Sequence, residues 1–508
     1  MIKFIEKIRK DTPTFELVYR LNLSSNSKEL MLRSKGTGKH FAVHTRFNLL
    51  SDDGSILESK LIDDDVAKFI IEYFESRGDT ESFNVYKSDL DIGELSNRKH
   101  QTVDPDEVRH KLTNTEHSFT ATGEKLHFHW PIFEKFRDTN YGSIIRATMT
   151  LHQVCSSHCH YCSTIARNKK DSISLEEAKN FVRKLYFDQA SLNKDKFQKY
   201  NESYRELSGS DIRLRGLILS GGGQPNLWPH FVEFVEWLSE LDLDLGLITN
   251  GFPKKIPDEV YEKFKWIRIS VTPEDASPHY PQQRFDHQYI PATIINNPSV
   301  TVGYSYVYGS WTSDDILMRI DASIMENGFN YCRMLTDCNL TRSAQLRAHQ
   351  MLAERLYNLG FIDNEGNPLS RIFHQLKYHG TPEEAKALWN EGQCYLQTYN
   401  VFWDTTGHED VGYSFCYACD SITVLAEEAS DTDVSASERR FDHNKWGLVP
   451  NTEVERLYRD PVTPYFDPRK VCSACLFMRN NQVVKDVASF ESFDSIKLPV
   501  EVSHVNFP

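Results

Sequence analysis

IIRATMTLHQVCSSHCHYCST, residues 144–164, joins a strand signal to a dense set of thiols. Its first part, IIRATMTLH, has the apolar and β-branched character of a strand. Its second part places Cys155, Cys159 and Cys162 within eight positions. A CxxxCxxC loop gathers three soft thiolates with little chain to fix. Three Cys ligands plus one non-protein ligand complete an iron–sulfur cube. A zinc site is the alternative, recruiting His152, His158 or His160. Residue 160 lies between two ligands and is expected to point elsewhere, whereas spacing leaves His158 open.

Outward from this loop, strand and helix signals alternate. SLEEAKNFVRKLYFDQA (174–190) reads as a helix with a serine cap, LRGLILSGGG (214–223) as a buried strand ending in glycines, and HFVEFVEWLSELD (230–242) as a helix. LDLGLITNG, WIRISVTP, VTVGYSYVYG and NYCRML read as further strands, with DEVYEKF and DDILMRIDASIMENG as helices among them. Such alternation predicts an α/β sheet or barrel, in which chemistry collects at the carboxyl ends of the strands. The cysteine loop, the glycine run, the TNG turn and SVTP all fall at such ends.

Residues 1–140 carry mixed signals and are expected to form a separate N-terminal α+β domain. FELVYRLNL and KHFAVHTRFNLL read as strands, DDDVAKFIIEYFES as a short amphipathic helix, and about 88–115 as polar linker. Residues 339–393 read as mostly helical, 427–440 as an exposed polar loop, and 486–508 as a tail. The 508 residues are enough for two to four domains. No run of about 18 apolar residues is present, so no transmembrane span is expected. The N-terminus lacks a signal-peptide pattern. A cytoplasmic protein is the expectation. A net charge of −14 argues against a broad nucleic-acid footprint.

The ten cysteines are unevenly placed. Cys332 and Cys338 have no close partner spacing and read as core. Cys394, Cys416, Cys419, Cys472 and Cys475 follow, and their two CxxC pairs signal a metal without choosing zinc or iron–sulfur. The glycines of LILSGGGQPNL let backbone approach a neighbour closely. No phosphate-loop Lys-Ser or Lys-Thr accompanies them. Tyr304 and Tyr306 either line a ligand or share one sheet face.

Together these motifs resemble the radical S-adenosylmethionine superfamily. The spacing of Cys155, Cys159 and Cys162 matches its cluster motif, and Tyr161 its aromatic position near the adenine. Gly222, Gly223, Gln224 and Pro225 align with its Gly-Gly-Glu-Pro landmark, with Gln224 replacing the usual glutamate. An amide oxygen still accepts a hydrogen bond from the cofactor amino group, more weakly for want of charge. The resemblance covers about 144–335.

The resemblance implies a partial (β/α)6 TIM-like barrel over 141–338, flanked by the helical connection 339–393 and a cysteine-rich auxiliary-cluster domain over 394–485. It implies a [4Fe–4S] cluster on Cys155, Cys159 and Cys162. S-adenosylmethionine chelates the open iron and is cleaved to a 5′-deoxyadenosyl radical that abstracts a substrate hydrogen. Thr249, Asn250, Ser270, Thr272 and Arg333 are the further cofactor-side candidates, with helix capping or turn formation the plain alternative for the hydroxyls. The later cysteines fit a SPASM or twitch outline loosely. One auxiliary [4Fe–4S] cluster is expected on Cys394, Cys416, Cys472 and Cys475, with Cys419 a substitute and zinc the alternative. A flavodoxin- or ferredoxin-like protein is the implied electron donor. Oxidative modification of a peptide is the leading expectation, ahead of small-molecule biosynthesis and of a non-catalytic zinc or iron–sulfur protein.

Overall fold

A computed structural model describes strand backbones within residues 4–61, and residues 125–157, 159, 161–162, 169–251, 256–271, 290–295, 297–309, 311–337, 342–363, 368–375, 394–405, 415–417, 449–462, 478–489 and 503–508. The chain divides into two compact units, residues 1–104 and 105–508.

The first unit holds a six-stranded antiparallel sheet in simple sequence order: β1 (Phe4–Asp11), β2 (Phe15–Asn22), β3 (Ser27–Ser34), β4 (His40–Ala42), β5 (Arg46–Leu50) and β6 (Ile56–Leu61). KHFAVHTRFNLL, read as one strand, folds instead into the β4–β5 hairpin, with His40 opposite Leu50 and Phe41 opposite Leu49. Its apolar residues run through both arms, so the pattern does not separate them. The helix expected at DDDVAKFIIEYFES and the polar linker lie outside the described residues.

The second unit is built on a parallel sheet of eight strands. Seven follow one another in space as in sequence: β7 (Arg146–Thr150), β8 (Gly216–Ser220), β9 (Asp244–Thr249), β10 (Trp266–Val271), β11 (Thr301–Tyr308), β12 (Tyr331–Thr336) and β13 (Ile372–Gln375). The eighth, β14 (Asn400–Asp404), returns to pair in parallel with the outer side of β7. Antiparallel β15 (Phe415–Tyr417) and β16 (Val449–Pro450) extend that edge. The fold is α/β, and the six strands expected from sequence are β7–β12. The seventh, β13, lies in the segment read as helical: four residues are too few for a period to show.

Among the described residues the helices are α1 (Trp130–Thr139), α2 (Leu175–Arg183), α3 (Gln189–Lys196), α4 (Gln198–Ser208), α5 (Phe231–Ser239), α6 (Asp258–Tyr261), α7 (Ala292–Ile295), α8 (Asp314–Asn327), α9 (Arg342–Asn358), α10 (Arg456–Arg459) and α11 (Met478–Ser489). A capping box starts α2: Glu177 N donates to Ser174 Oγ (3.2 Å) and Ser174 N to Glu177 Oε2 (2.8 Å). A π-turn at Lys184–Asp188 carries it into α3. Ser313 caps α8 and Gly328, at φ +68°, ends it.

Period two along the strands divides the core. Leu217, Leu219, Leu245, Leu247, Ile267 and Ile269 pack under the helices in the main apolar cluster. Ile218 and Trp266, from the other set of positions, meet Phe507 on the concave side. The last described residues seat against the first residues of five strands. Arg146 Nη1 donates to Pro508 O (2.6 Å), Asn506 Nδ2 donates to Asp244 Oδ2 (2.7 Å), and His504 Nε2 bonds Thr301 Oγ1 (2.7 Å). Phe507 packs edge-on to Trp266, and a Cβ on Gly216 would overlap Asn506 O. The segment read as a tail therefore plugs the amino ends of the strands. Helices α1 and α11 pack nearby in a second cluster, with Ile145, Tyr399 and Cys394. Residues 130–139, read with the N-terminal domain, belong to this second unit.

Candidate active site

The three cysteines follow β7 at the carboxyl end of the sheet, where parallel α/β folds gather their chemistry. All three thiols are half-buried. Cys162 N donates to Cys159 O (3.0 Å), closing a turn between two of them. Ser157 N lies 3.4 Å from Cys155 Sγ and donates to it.

The loop after β8 packs directly on this loop. Gly223 N donates to His152 O (3.0 Å) and Gln224 N to Val154 O (2.7 Å). A Cβ on Gly222 would enter the Gln153 side chain, and one on Gly223 would enter the Val154 carbonyl. Gly223 is required because two backbones touch there, independently of any ligand, whereas Gly222 meets the far end of a side chain. His152, weighed as a zinc ligand, instead donates from Nε2 to Gln224 O (2.6 Å). Burial holds its imidazole below the ordinary range, so it is neutral at pH 7. His158 and His160 lie outside the described residues.

Gln224 is 2% exposed and ties three elements together. Its Oε1 accepts from Asn250 N (2.8 Å), and its Nε2 donates to Thr249 Oγ1 and Asn226 Oδ1. The carbonyl oxygen expected to meet a cofactor amino group is engaged with Asn250 here. Thr249 Oγ1 also accepts from Gly251 N (3.0 Å). Asn250 in turn reaches the cysteine loop, donating from Nδ2 to Ser156 Oγ (2.8 Å) and Ser157 Oγ (2.7 Å), with Cys155 Sγ at 4.0 Å. Residues at and after the carboxyl ends of β7, β8 and β9 thus form one hydrogen-bonded cradle around Cys155. Pro225 opens a short 3-10 turn that leads this loop away.

Ser270, Ser305 and Arg333 stand side by side in register across β10, β11 and β12. This row is on the face opposite Ile269 and Tyr304, the concave side. Thr272 lies outside the described residues. Tyr304 and Tyr306 face the helices: Tyr304 OH bonds Ser323 Oγ (2.9 Å) and Tyr306 OH bonds Thr312 Oγ1 (3.1 Å). They are core residues. Tyr161 stacks on Trp311, with ring centroids 5.8 Å apart and planes 20° apart. Trp311 escaped the sequence reading, since a lone tryptophan after a strand carries no spacing signal.

Among the later cysteines, Cys394 is 6% exposed beneath α11. Its thiol lies 3.9 Å from Asn481 Oδ1, and burial pushes its pKa up to about 11. Cys394 precedes the amino end of β14, whereas Cys416 on β15 is opposite Trp403, near the carboxyl end. At about 3.3 Å per residue, Asn400 and Trp403 are roughly 10 Å apart along β14. Cys332 is buried among helix-facing residues, its pKa raised by burial, as the core reading expects. Cys338, Cys419, Cys472 and Cys475 lie outside the described residues. Among the described residues, no three His, Cys, Asp or Glu side chains converge as a single-ion site.

No family model and no curated protein matches the chain. Solved structures with similarity include Streptococcus suis SuiB bound to S-adenosylmethionine, at 12% identity over 89% of each chain, TM-score 0.38. SuiB bound to its precursor peptide SuiA matches at 12% identity over 93% of this chain and 94% of that one, TM-score 0.40. BtrN in complex with AdoMet and 2-DOIA matches at 9% identity over 67% and 88%, TM-score 0.26. In the spacing of Cys155, Cys159 and Cys162 the chain resembles the radical S-adenosylmethionine enzymes.

Proposed function

We propose that this chain is a radical S-adenosylmethionine enzyme. The observation that carries the reading is the cradle itself. A CxxxCxxC loop sits at the carboxyl end of the first parallel strand, fixed by the glycine loop of the second and by Asn250 after the third. Three half-buried thiols on one loop are a donor set that fits an iron–sulfur cluster with one open iron. When bound, that cluster supplies the electron that cleaves the sulfonium of S-adenosylmethionine.

The chain's own residues do the positioning. Asn250 and the Ser157 amide orient Cys155, and neutral His152 locks the Gln224 backbone. The Ser270–Ser305–Arg333 row offers hydroxyls and a guanidinium on the concave side, where a carboxylate is recognised.

The finer reading is oxidative modification of a peptide, with a flavodoxin- or ferredoxin-like donor. The linear β1–β6 sheet supports it, since β1 and β6 are edges among the described residues and an extended peptide pairs with such edges. An auxiliary centre is also proposed. Burial of Cys394 and its distance along β14 from Cys416 favour the two CxxC pairs, Cys416, Cys419, Cys472 and Cys475, as its ligands.

Anaerobic iron–sulfide reconstitution, followed by reduction with S-adenosylmethionine, tests the central reading. 5′-Deoxyadenosine is expected from the native chain and none after Cys159→Ala. A fully loaded native chain that yields none contradicts it.

A further inference from the structure

The rings of Tyr161 and Trp311 make a contact that their positions in the sheet do not lead one to expect. Tyr161 is in the loop after β7 and Trp311 follows β11, with β8, β9 and β10 between them. At about 4.8 Å per strand, a flat sheet would hold those two strands roughly 19 Å apart. A centroid distance of 5.8 Å brings the two loops together over the concave face.

Trp311 is itself firmly held. Thr312 Oγ1 bonds Tyr306 OH (3.1 Å) and accepts from Gly309 N (3.2 Å), and Thr312 N donates to Gly309 O (3.0 Å). Arg355 of α9 donates to Thr312 O (2.6 Å) and to Asp314 Oδ1 (2.8 Å from Nε). The indole lies back over Gly309, where any Cβ would overlap its six-membered ring. The tryptophan therefore has a fixed platform on β11, α8 and α9. Tyr161, by contrast, belongs to the short turn that carries Cys159 and Cys162.

We propose that Trp311 is a positioning residue for the cysteine loop: stacked on Tyr161, it holds the Cys159–Cys162 turn against the mouth of the sheet. Asn250 and Ser157 fix one end of the loop at Cys155, and Trp311 fixes the other. The proposal rests on the reading of this loop as the cluster cradle.

Two variants remove the stack by different routes. Trp311→Ala deletes the ring, and Gly309→Ala displaces it while leaving both aromatic residues in the chain. Trp311→Phe keeps a stacking ring. In the metal-free chain, alkylation of Cys159 and Cys162 is followed by peptide mass spectrometry at one pH. In the reconstituted protein, iron release to a chelator is timed. Loss of an aromatic pair is expected to speed both by roughly 2- to 10-fold in the Ala variants. Trp311→Phe should stay within about twofold of the native chain.

Unchanged rates in both Ala variants overturn the proposal, as does a Trp311→Phe rate equal to that of Trp311→Ala. A native chain that takes up no iron would sink the proposed function, while the alkylation arm still decides the role of Trp311. Should Trp311→Ala not fold, Gly309→Ala against Trp311→Phe makes the same comparison.

Discussion

Replacing Gln224 by leucine and by glutamate tests whether its side chain is a structural tie. The amide makes three hydrogen bonds, two of them buried, to Asn250 N, Thr249 Oγ1 and Asn226 Oδ1. Leucine has similar bulk and makes none of them. A buried polar group that loses its partner costs about 1–3 kcal/mol, and some of these groups have other contacts, so about 2–4 kcal/mol in total is expected. Glutamate keeps the bond from Asn250 N in either protonation state. Protonated, its hydroxyl replaces the amide donor; ionised, it accepts from a turned Thr249 hydroxyl and a flipped Asn226 amide. Its expected cost is about 1 kcal/mol or less. Residues 105–508 form the unit concerned. At about 2.1 cal/mol/K per residue, its unfolding entropy is roughly 0.85 kcal/mol/K. Leucine should therefore lower the melting temperature of the metal-free chain by about 2–5 °C, and glutamate by about 1 °C. Scanning calorimetry of the three proteins decides. A leucine variant that melts with the native chain, or a glutamate variant that melts as low as the leucine one, refutes the tie.

Gly223→Ala should force the two loops apart at the Val154 carbonyl, and iron bound after reconstitution should fall several-fold; native iron content would show that this contact does not hold the cysteines. Burial lowers the pKa of His129, His374 and His504 to about 4, so as pH falls the unfolded chain takes up these protons first. Their contribution to stability is complete above about pH 6.5 and lost towards pH 4; a melting temperature flat from pH 7 to 5 would contradict it, and His129→Gln should flatten the slope by about one proton. Phe507→Ala empties the contact with Trp266 and Ile218 and should cost about 3–5 kcal/mol, with iron binding unchanged. Differential scanning calorimetry and iron assay check both halves.

Much of the second unit was legible in the sequence because its strands are apolar and its helices amphipathic, as at LRGLILSGGG and HFVEFVEWLSELD. The cysteine loop, the glycine run and the TNG turn were legible because their chemistry is tied to strand ends. What escaped was set by distance along the chain. Nothing near residue 400 announces that β14 pairs with β7, and nothing near 507 announces a plug under Trp266. Gln224 and Asn250 read as cofactor-side candidates, and their bonds to each other and to the cysteine loop carry no signal in the sequence. Tyr304 and Tyr306 illustrate a real ambiguity: period two assigns them a common face but not which face, and only the packing of α8 settles it. Trp311 has meaning only through the curl of the sheet.

The pairing of β7 with β14 also bears on how the chain is made. Strand β7 gains its inner neighbour, β8, about 70 residues later, but its outer neighbour only at residues 400–404. At about 5–20 residues per second, roughly 9–37 s of synthesis separate the two events. Throughout that interval β7 is the open edge of a growing parallel sheet, with its cysteine loop already emerged. Unpaired edges of this kind recruit other strands. Expression at lower temperature, or with chaperones that cover nascent edges, should therefore raise the yield of native chain more than any change made after release from the ribosome.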